Sequence, residues 1–144
     1  MSRVEKSALV MHSAVQMYEL VADVAGYKNF LPWCSDSRLL SRDEQRLCGE
    51  IEVSRAGIRQ RFATCNDLEP PTRMGIRLEK GPFRRLEGYW LFTPLQENAC
   101  KVELVLEFEF SGALLDKAFG KVFNQIAVSL VDAFCKRAEQ VYGG

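Results

Sequence analysis

The chain has 144 residues, which is enough for one domain with a hydrophobic core. Lysine plus arginine and aspartate plus glutamate number 19 each, so the formal net charge is zero. Proteins that bind nucleic acid by neutralising phosphates usually carry a basic excess, and this composition excludes a strongly basic DNA-binding class. A local basic patch remains compatible with it. We therefore predict a single domain over residues 1–144.

The cysteines are scattered, odd in number and without a C-x-x-C pair. They are Cys34, Cys48, Cys65, Cys100 and Cys135. This pattern favours free thiols in a reducing cytosol over a secreted disulfide scaffold or a zinc site. The N-terminus has no apolar signal-peptide core, and we expect no window that approaches a membrane span. The sequence thus predicts a cytoplasmic protein.

The chain begins with a strand and a short helix. Alternating residues predict a first strand over residues 3–11. Ser13 and Gln16 have the spacing of a capping box, so a helix is expected to start after Ser13. Gly26 is the predicted end of that helix.

The next segment, Tyr27–Cys34, is rich in aromatic residues and interrupted by a proline. A single helical turn with an extended exit fits it, because Leu31 precedes Pro32 and is pushed away from the α region. Two interpretations stay open. The cluster either plugs the core or forms a gate over a cavity, with Phe119 and Phe123 of a later helix facing Leu31, Pro32 and Trp33.

Residues 35–111 predict only strands, separated by turns at Ala56-Gly57, Pro70-Pro71, Gly81-Pro82 and residues 96–98. Residues 99–110 alternate most clearly, with one apolar face and one face carrying charges, so the sheet is expected to be antiparallel. The predicted strands are Ser37–Leu40, Gln45–Arg55, Ile58–Leu68, Arg73–Glu79, Phe83–Thr93 and Ala99–Phe110.

The last thirty residues predict one long amphipathic helix from Ala113 to Tyr142, about 40 Å in length. A curved antiparallel sheet of about six to seven strands is expected to wrap around it, with two short helices after the first strand. The fold class is therefore α+β. Because such a sheet is wider than one helix, we expect a cavity between the two layers.

Catalytic machinery is not evident in the sequence. The lone His12 has no histidine partner for a metal site, and the glycines are not spaced as a phosphate loop. Glu103, Glu107 and Glu109 share a face that should be solvated. We therefore predict a protein that is not an enzyme, with no catalytic residues, no metal and no required cofactor.

Two groups of residues are the candidate binding sites. The cavity and its gate are assigned to Phe30, Leu31, Pro32, Trp33, Phe62, Met74, Ile76, Trp90, Phe92, Phe119, Val122, Phe123 and Ile126. The basic residues at two turns are Arg55, Arg59, Arg61, Lys80, Arg84 and Arg85. These basic residues are either solvated turn residues or a patch for RNA phosphates or anionic lipid heads, including a transient membrane surface.

Three segments carry a family resemblance: Tyr27–Cys34, the turn Gly81–Leu86 leading to Trp90–Phe92, and Ala118–Phe123. Together they resemble the RatA-type branch of the polyketide cyclase/START-like superfamily, which is similar to the mitochondrial coenzyme Q-binding proteins. The resemblance implies a helix-grip (START/Bet v 1-like) fold. It also implies either ubiquinone binding that supports respiration, or a toxin that binds the large ribosomal subunit and blocks subunit association. The sequence contains no residues that match a catalytic set for cyclisation.

The sequence therefore predicts non-enzymatic binding of an apolar isoprenoid lipid, with ubiquinone as the expected ligand. Association with the large ribosomal subunit is the alternative. Long apolar tails suit such a cavity, because each buried CH₂ group contributes about 0.8 kcal/mol.

Overall fold

The computed structural model describes residues 2–143, and within them the chain forms seven strands, two α-helices and one short 3₁₀ helix. In chain order the elements are β1 (Ser2–Val10), α1 (Ala14–Ala22), the 3₁₀ helix (Val24–Asn29), β2 (Cys34–Arg42), β3 (Arg46–Arg55), β4 (Ile58–Glu69), β5 (Arg73–Lys80), β6 (Phe83–Gln96), β7 (Ala99–Phe110) and α2 (Ala113–Tyr142). The predicted order of elements is confirmed, including the two short helices after the first strand.

The seven strands form one antiparallel sheet in the order β1-β7-β6-β5-β4-β3-β2. Each neighbouring pair is a hairpin except β1 with β7, which joins the two ends of the strand region. In β7, Val102, Leu104, Leu106 and Phe108 are buried on the inner face, as the alternation predicts. Register shifts occur in the β2–β3, β4–β5 and β6–β7 pairs, where strands bulge.

Helix α1 begins with the predicted capping box. The Gln16 backbone N–H donates to Ser13 Oγ at 3.1 Å, and the Ser13 N–H donates to Gln16 Oε1 at 3.0 Å. The prediction that Gly26 ends this helix is wrong. The α-helix ends at Ala22 with Asp23 as its C-cap, and Gly26 lies inside the 3₁₀ helix that follows. After Ala22 the chain passes from the α-helix into the tighter 3₁₀ helix, and no glycine lies at the boundary.

Helix α2 lies across the inner face of the sheet. Its backbone comes closest to β1, β7 and α1. It is the one helix in residues 2–143 that is long and apolar enough to span a membrane, so the expectation of no such window is wrong. In this fold its apolar stripe faces the sheet. The buried residues of the helix are Phe119, Phe123, Ile126, Ala127, Val131, Phe134 and Ala138.

The prediction of free thiols throughout is wrong at two positions. The register of β3 with β4 places Cys48 directly opposite Cys65, and their sulfur atoms form a disulfide. Cys34, Cys100 and Cys135 are free thiols. The two cysteines are 17 residues apart in sequence, and their pairing depends on the register of the two strands, which cysteine spacing alone does not report.

Candidate ligand-binding site

A cavity of about 100 Å³ lies between α2 and the inner face of the sheet. It lies toward β3–β6, on the side of the sheet away from the closest backbone approach of α2 to β1 and β7. Side chains bridge this wider gap without filling it. Six of the residues predicted for the cavity line it: Trp33, Phe62, Ile76, Trp90, Phe123 and Ile126.

The remaining predicted cavity and gate residues lie elsewhere. Met74 and Phe92 are fully buried in the core beside α1, where the Phe92 ring meets Tyr18 edge-on at 5.6 Å. Phe119 packs against Phe110 with ring centroids 5.5 Å apart, and Val122 is half-buried at the edge of that aromatic cluster. Phe30, Leu31 and Pro32 lie outside the cavity wall, in the segment that precedes β2.

Ten wall residues were not among the predicted ones. They are Tyr27, Ile51, Val53, Thr64, Asn66, Leu86, Leu106, Ala127, Leu130 and Phe134. The period-two alternation of β3 and β4 could have identified several of them, because Ile51 and Val53 share the inner face with Phe62, Thr64 and Asn66. Thr64 and Asn66 are polar, so apolar periodicity alone does not assign them to the wall.

The polar groups of the wall lie on one side. A smaller cavity of about 60 Å³ adjoins the first, and Tyr27, Thr64 and Asn66 line both. The Tyr27 hydroxyl donates a hydrogen bond to the Val21 carbonyl oxygen, and burial raises its pKa. Tyr27 is therefore a neutral group whose proton is already bound, and it offers no base to the cavity.

The segment from Phe30 to Trp33 separates the cavity from an outer cleft. Trp33 is only 6% exposed and lines both the cavity and this cleft, which has a volume of about 430 Å³ and a far wall formed by the C-terminal half of α2. The Ser54 N–H donates to the Trp33 carbonyl at 2.8 Å, and the Cys34 N–H donates to the Leu31 carbonyl at 3.0 Å. These hydrogen bonds hold the backbone in place, and the Trp33 side chain lies between the cavity and the outer cleft.

On α2, Phe134 packs against two aromatic rings, one in this segment and one just before it. Its ring centroid lies 5.3 Å from those of both Tyr27 and Phe30. Phe123, which was expected to face Leu31 to Trp33, packs on Phe108 at 4.8 Å and on Phe83 at 5.0 Å. The rotation of α2 therefore brings its C-terminal half to the segment around Phe30 and its N-terminal half to the aromatic cluster.

The outer face of β3 and β4 carries a network of ion pairs centred on Glu50. The Glu50 side chain is only 2% exposed and accepts from Arg61 at 2.9 Å and from Arg38, with Lys80 Nζ at 3.5 Å. Arg61 also pairs with Asp36 at 3.0 Å and with Glu52 at 3.2 Å. The hydrogen bond from Arg61 is the main cause that lowers the pKa of Glu50 below its usual range.

The predicted basic residues lie at one end of adjacent strands, because the β3–β4 and β5–β6 turns leave the sheet on the same side. Most of them face carboxylates. Arg59 pairs with Glu52 at 3.9 Å, Arg84 with Glu109 at 3.4 Å, and Arg85 with Glu87. Arg55 instead lines the outer cleft beside Lys136 and Arg137. Much of the positive charge at this end of the sheet is therefore neutralised locally.

The described residues, 2–143, contain no cluster of three or more His, Cys, Asp or Glu side chains arranged to hold a metal ion. His12 is buried beside Tyr142, with ring centroids 6.0 Å apart, and does not line the cavity. Burial raises the pKa of the Cys34 thiol, and it raises that of Cys100 to about 11. Both thiols are protonated at neutral pH and are poor nucleophiles.

The fold and the sheet–helix cavity define a class of protein. Residues 10–135 match the family described as polyketide cyclase / dehydrase and lipid transport, and the chain belongs to this family. The Zhui aromatase/cyclase from a Streptomyces species has the same fold, with a TM-score of 0.85 at 22% identity over 99% of this chain and 98% of that one. The predicted START-like helix-grip fold and the family resemblance are thus confirmed.

Within this family, the chain is similar to proteins of two kinds. It is 51% identical to a protein from Vibrio cholerae named ribosome association toxin RatA, over 99% of both chains. It is 30% identical to the mitochondrial coenzyme Q-binding protein COQ10 homolog B from Xenopus laevis, over 96% of this chain and 58% of that protein. Both branches of the predicted resemblance are represented.

Proposed function

We propose that this chain is a cytoplasmic, non-enzymatic binding protein that takes an isoprenoid quinone, with ubiquinone as the expected ligand, between its sheet and α2. The observation that carries the proposal is the unfilled apolar cavity walled by both layers. Family membership in a lipid-transport class and similarity to a coenzyme Q-binding protein support the same ligand class. The proposed role is to hold or carry the quinone in support of respiration.

The volume of the cavity sets which part of the ligand lies inside. An apolar cavity of about 150 Å³ holds one benzene ring, so a cavity of about 100 Å³ with its smaller neighbour has room for an unsubstituted ring and not for a long tail. The ubiquinone ring also carries methoxy and methyl groups, so we infer that the side chains of the wall move apart to admit it and that the isoprenoid tail lies in the outer cleft. Trp33 stands at the boundary between the two and is the proposed gate.

The absence of acid–base groups in the wall favours binding over chemistry. Among the residues that line the cavity, the titratable side chain is Tyr27, and its hydroxyl is bound to a carbonyl oxygen. General acid–base catalysis needs a group within hydrogen-bond reach of the ligand that can exchange a proton near neutral pH. The wall described here supplies apolar surface and amide or hydroxyl groups instead.

A cavity-filling substitution tests the proposal. Ala127 is fully buried in the wall, and Ala127→Leu adds a side chain that occupies the space for the ring. Ala118→Leu places the same change on an exposed position of α2 and is the matched control. Binding of a ubiquinone with one isoprenyl unit is measured by calorimetry.

We expect wild type and the control to bind this probe alike, and Ala127→Leu to bind it at least tenfold more weakly while remaining folded. The proposal fails if the wild-type protein takes up no quinone, or if Ala127→Leu binds it as well as wild type does.

Association with the large ribosomal subunit is the second candidate function. Its support is the name of the Vibrio cholerae relative, which matches this chain over its whole length. The predicted contact is the basic group formed by Arg55, Arg59, Arg61, Lys80, Arg84 and Arg85. Each phosphate that such residues neutralise adds about 0.7–0.9 to the slope of log affinity against log salt, so binding would weaken steeply as salt rises.

Charge reversal distinguishes this candidate from the first. The double substitution Arg84→Glu with Arg85→Glu is expected to abolish co-sedimentation with the large subunit and to leave quinone uptake intact. Arg73→Glu with Arg77→Glu makes the same change in charge on the outer face of β5, away from those turns, and is the control. Co-sedimentation that survives both moderate salt and the Arg84/Arg85 reversal would rule out the basic group as the contact.

A further inference from the structure

The inner face of β4 carries a buried amide oxygen that lacks a hydrogen-bond partner within the described part of the chain. Asn66 Oδ1 is buried and has no hydrogen-bond partner among residues 2–143. The amide nitrogen of the same side chain donates to Met74 Sδ at 3.5 Å, and a thioether sulfur is a weak acceptor. Buried polar atoms are nearly always paired, so an unpaired one in a native fold calls for a partner outside the chain.

The position of Asn66 points to a ligand in the cavity. The side chain lines both the larger cavity and its smaller neighbour, and Thr64 lies two residues before it on the same face. Its strand neighbours in the sheet are Leu47 and Ile76, which bring no polar side chain to it. The hydroxyl of Tyr27, which lines the same space, is already bound to the Val21 carbonyl.

We propose that Asn66 is the polar subsite of this cavity and that it selects ligands whose ring carries an oxygen. The inference rests on the proposed function and deepens it. A carboxamide accepts from a hydroxyl through Oδ1, and after a flip of the amide it donates to a carbonyl through Nδ2. The chemical class is therefore a phenol, quinol or quinone ring, and an unsubstituted hydrocarbon ring of equal size is discriminated against.

The discrimination follows from the cost of an unpaired group. A hydrocarbon ring seated against Asn66 would leave the amide oxygen without a partner and without water. A site that hydrogen-bonds an oxygen of its ligand rejects an analogue without that oxygen strongly. An apolar pocket distinguishes far less between two ligands that differ by one methylene group. A ring oxygen within reach of Asn66 satisfies the amide and fixes the orientation of the ring.

Phenol and toluene, which have nearly the same size and shape, test the proposal. Their affinities for the full chain are measured by calorimetry or ligand-detected NMR, in wild type and in Asn66→Leu. We expect the ratio of phenol affinity to toluene affinity to fall at least tenfold in the variant, with toluene binding retained. Asn66→Ala introduces a smaller side chain that the surrounding residues accommodate more easily. It provides the same comparison if the leucine variant does not fold.

The outcomes separate the two proposals. A ratio that is unchanged by both substitutions, with toluene still bound, overturns the role of Asn66 and leaves the cavity as a ligand site. The same result is expected if a water molecule is the hydrogen-bond partner of the amide. Binding of neither probe to the wild-type protein overturns the cavity as a ligand site and the subsite with it.

Discussion

The two faces of the β3–β4 hairpin differ in whether their polar groups are paired. On the outer face the charges are paired with one another, and Glu50 accepts hydrogen bonds from both Arg38 and Arg61. On the inner face the wall is apolar, space is left unfilled, and Asn66 keeps an unpaired oxygen. Unused space and unused hydrogen-bonding capacity occur together on the inner face, which is why we assign the ligand to it.

The contrast also bears on the ribosome candidate. A face whose arginines already pair with carboxylates has less free positive charge to offer to phosphates. The inner face can act without any change in the outer one, because the side chains of alternate residues point to opposite faces of the sheet. The two candidate functions therefore use largely separate surfaces, which meet at Arg55 in the outer cleft, and substitutions at Arg84 and Arg85 or inside the cavity remove them one at a time.

Among the substitutions that test this contrast, we expect the largest effect at Trp33. If Trp33 is a gate, Trp33→Ala joins the cavity to the outer cleft, and quinone association and dissociation should both become at least tenfold faster. The free energy of unfolding should fall by less than the roughly 3–5 kcal/mol typical of a core aromatic. Stopped-flow binding and urea denaturation measure the two quantities.

Trp90→Ala is the matched control for that experiment. Trp90 lines the cavity but not the outer cleft, and its ring packs on Phe134 at 5.4 Å. Its loss should cost the full roughly 3–5 kcal/mol without opening the entrance. If Trp33→Ala costs as much as Trp90→Ala and leaves the binding rates unchanged, Trp33 is a plug and not a gate.

A smaller effect is expected on the outer face at Glu50. Glu50→Gln removes the charge that accepts hydrogen bonds from two arginines, and should lower the free energy of unfolding at pH 7 by about 1–3 kcal/mol. The pKa of Glu50 is lowered in the folded protein, so its stabilisation is complete above the ordinary range near 4.5 and is lost as pH falls through the folded pKa. Urea denaturation at pH 7 and pH 3 should show a smaller difference between the two proteins in acid, and a difference as large at pH 3 as at pH 7 would contradict this account.

The smallest effect is expected at Glu109. Its pair with Arg84 joins side chains that are 36% and 66% exposed. Exposed ion pairs contribute little, so Glu109→Gln should change the free energy of unfolding by less than about 1 kcal/mol at pH 7. Thermal denaturation in low and high salt measures it. An effect as large as that of Glu50→Gln would mean that the outer network extends to β7.

Much of the fold could be predicted because its signals are local. Strand β7 and helix α2 have the predicted bounds, since their apolar residues recur with unbroken periods of two and about 3.6. The end of α1 was missed because the chain passes from an α-helix into a 3₁₀ helix without a glycine at the boundary. Hydrophobic periodicity does not distinguish the two over so few residues.

The site was harder to predict because it depends on relations between elements. The rotation of α2 decides that Phe123 and Ile126 reach the cavity while Phe119 joins the aromatic cluster. The register of β3 and β4 decides the pairing of Cys48 with Cys65. The alternation of β4 places Asn66 on the inner face, but the sequence does not show that its amide oxygen lacks a partner among residues 2–143.

Because α2 follows all seven strands in the chain, the sheet is synthesised before the helix that covers its inner face. The pairing of β1 with β7 must also wait, since about ninety residues separate them. Contacts between distant segments form slowly, and strand edges and apolar faces that wait for them are prone to aggregation. The thirty residues of α2 thus act late in folding as the cover that shields the sheet, so substitutions on their buried stripe should reduce the yield of folded protein in the cell more than equilibrium stability alone suggests.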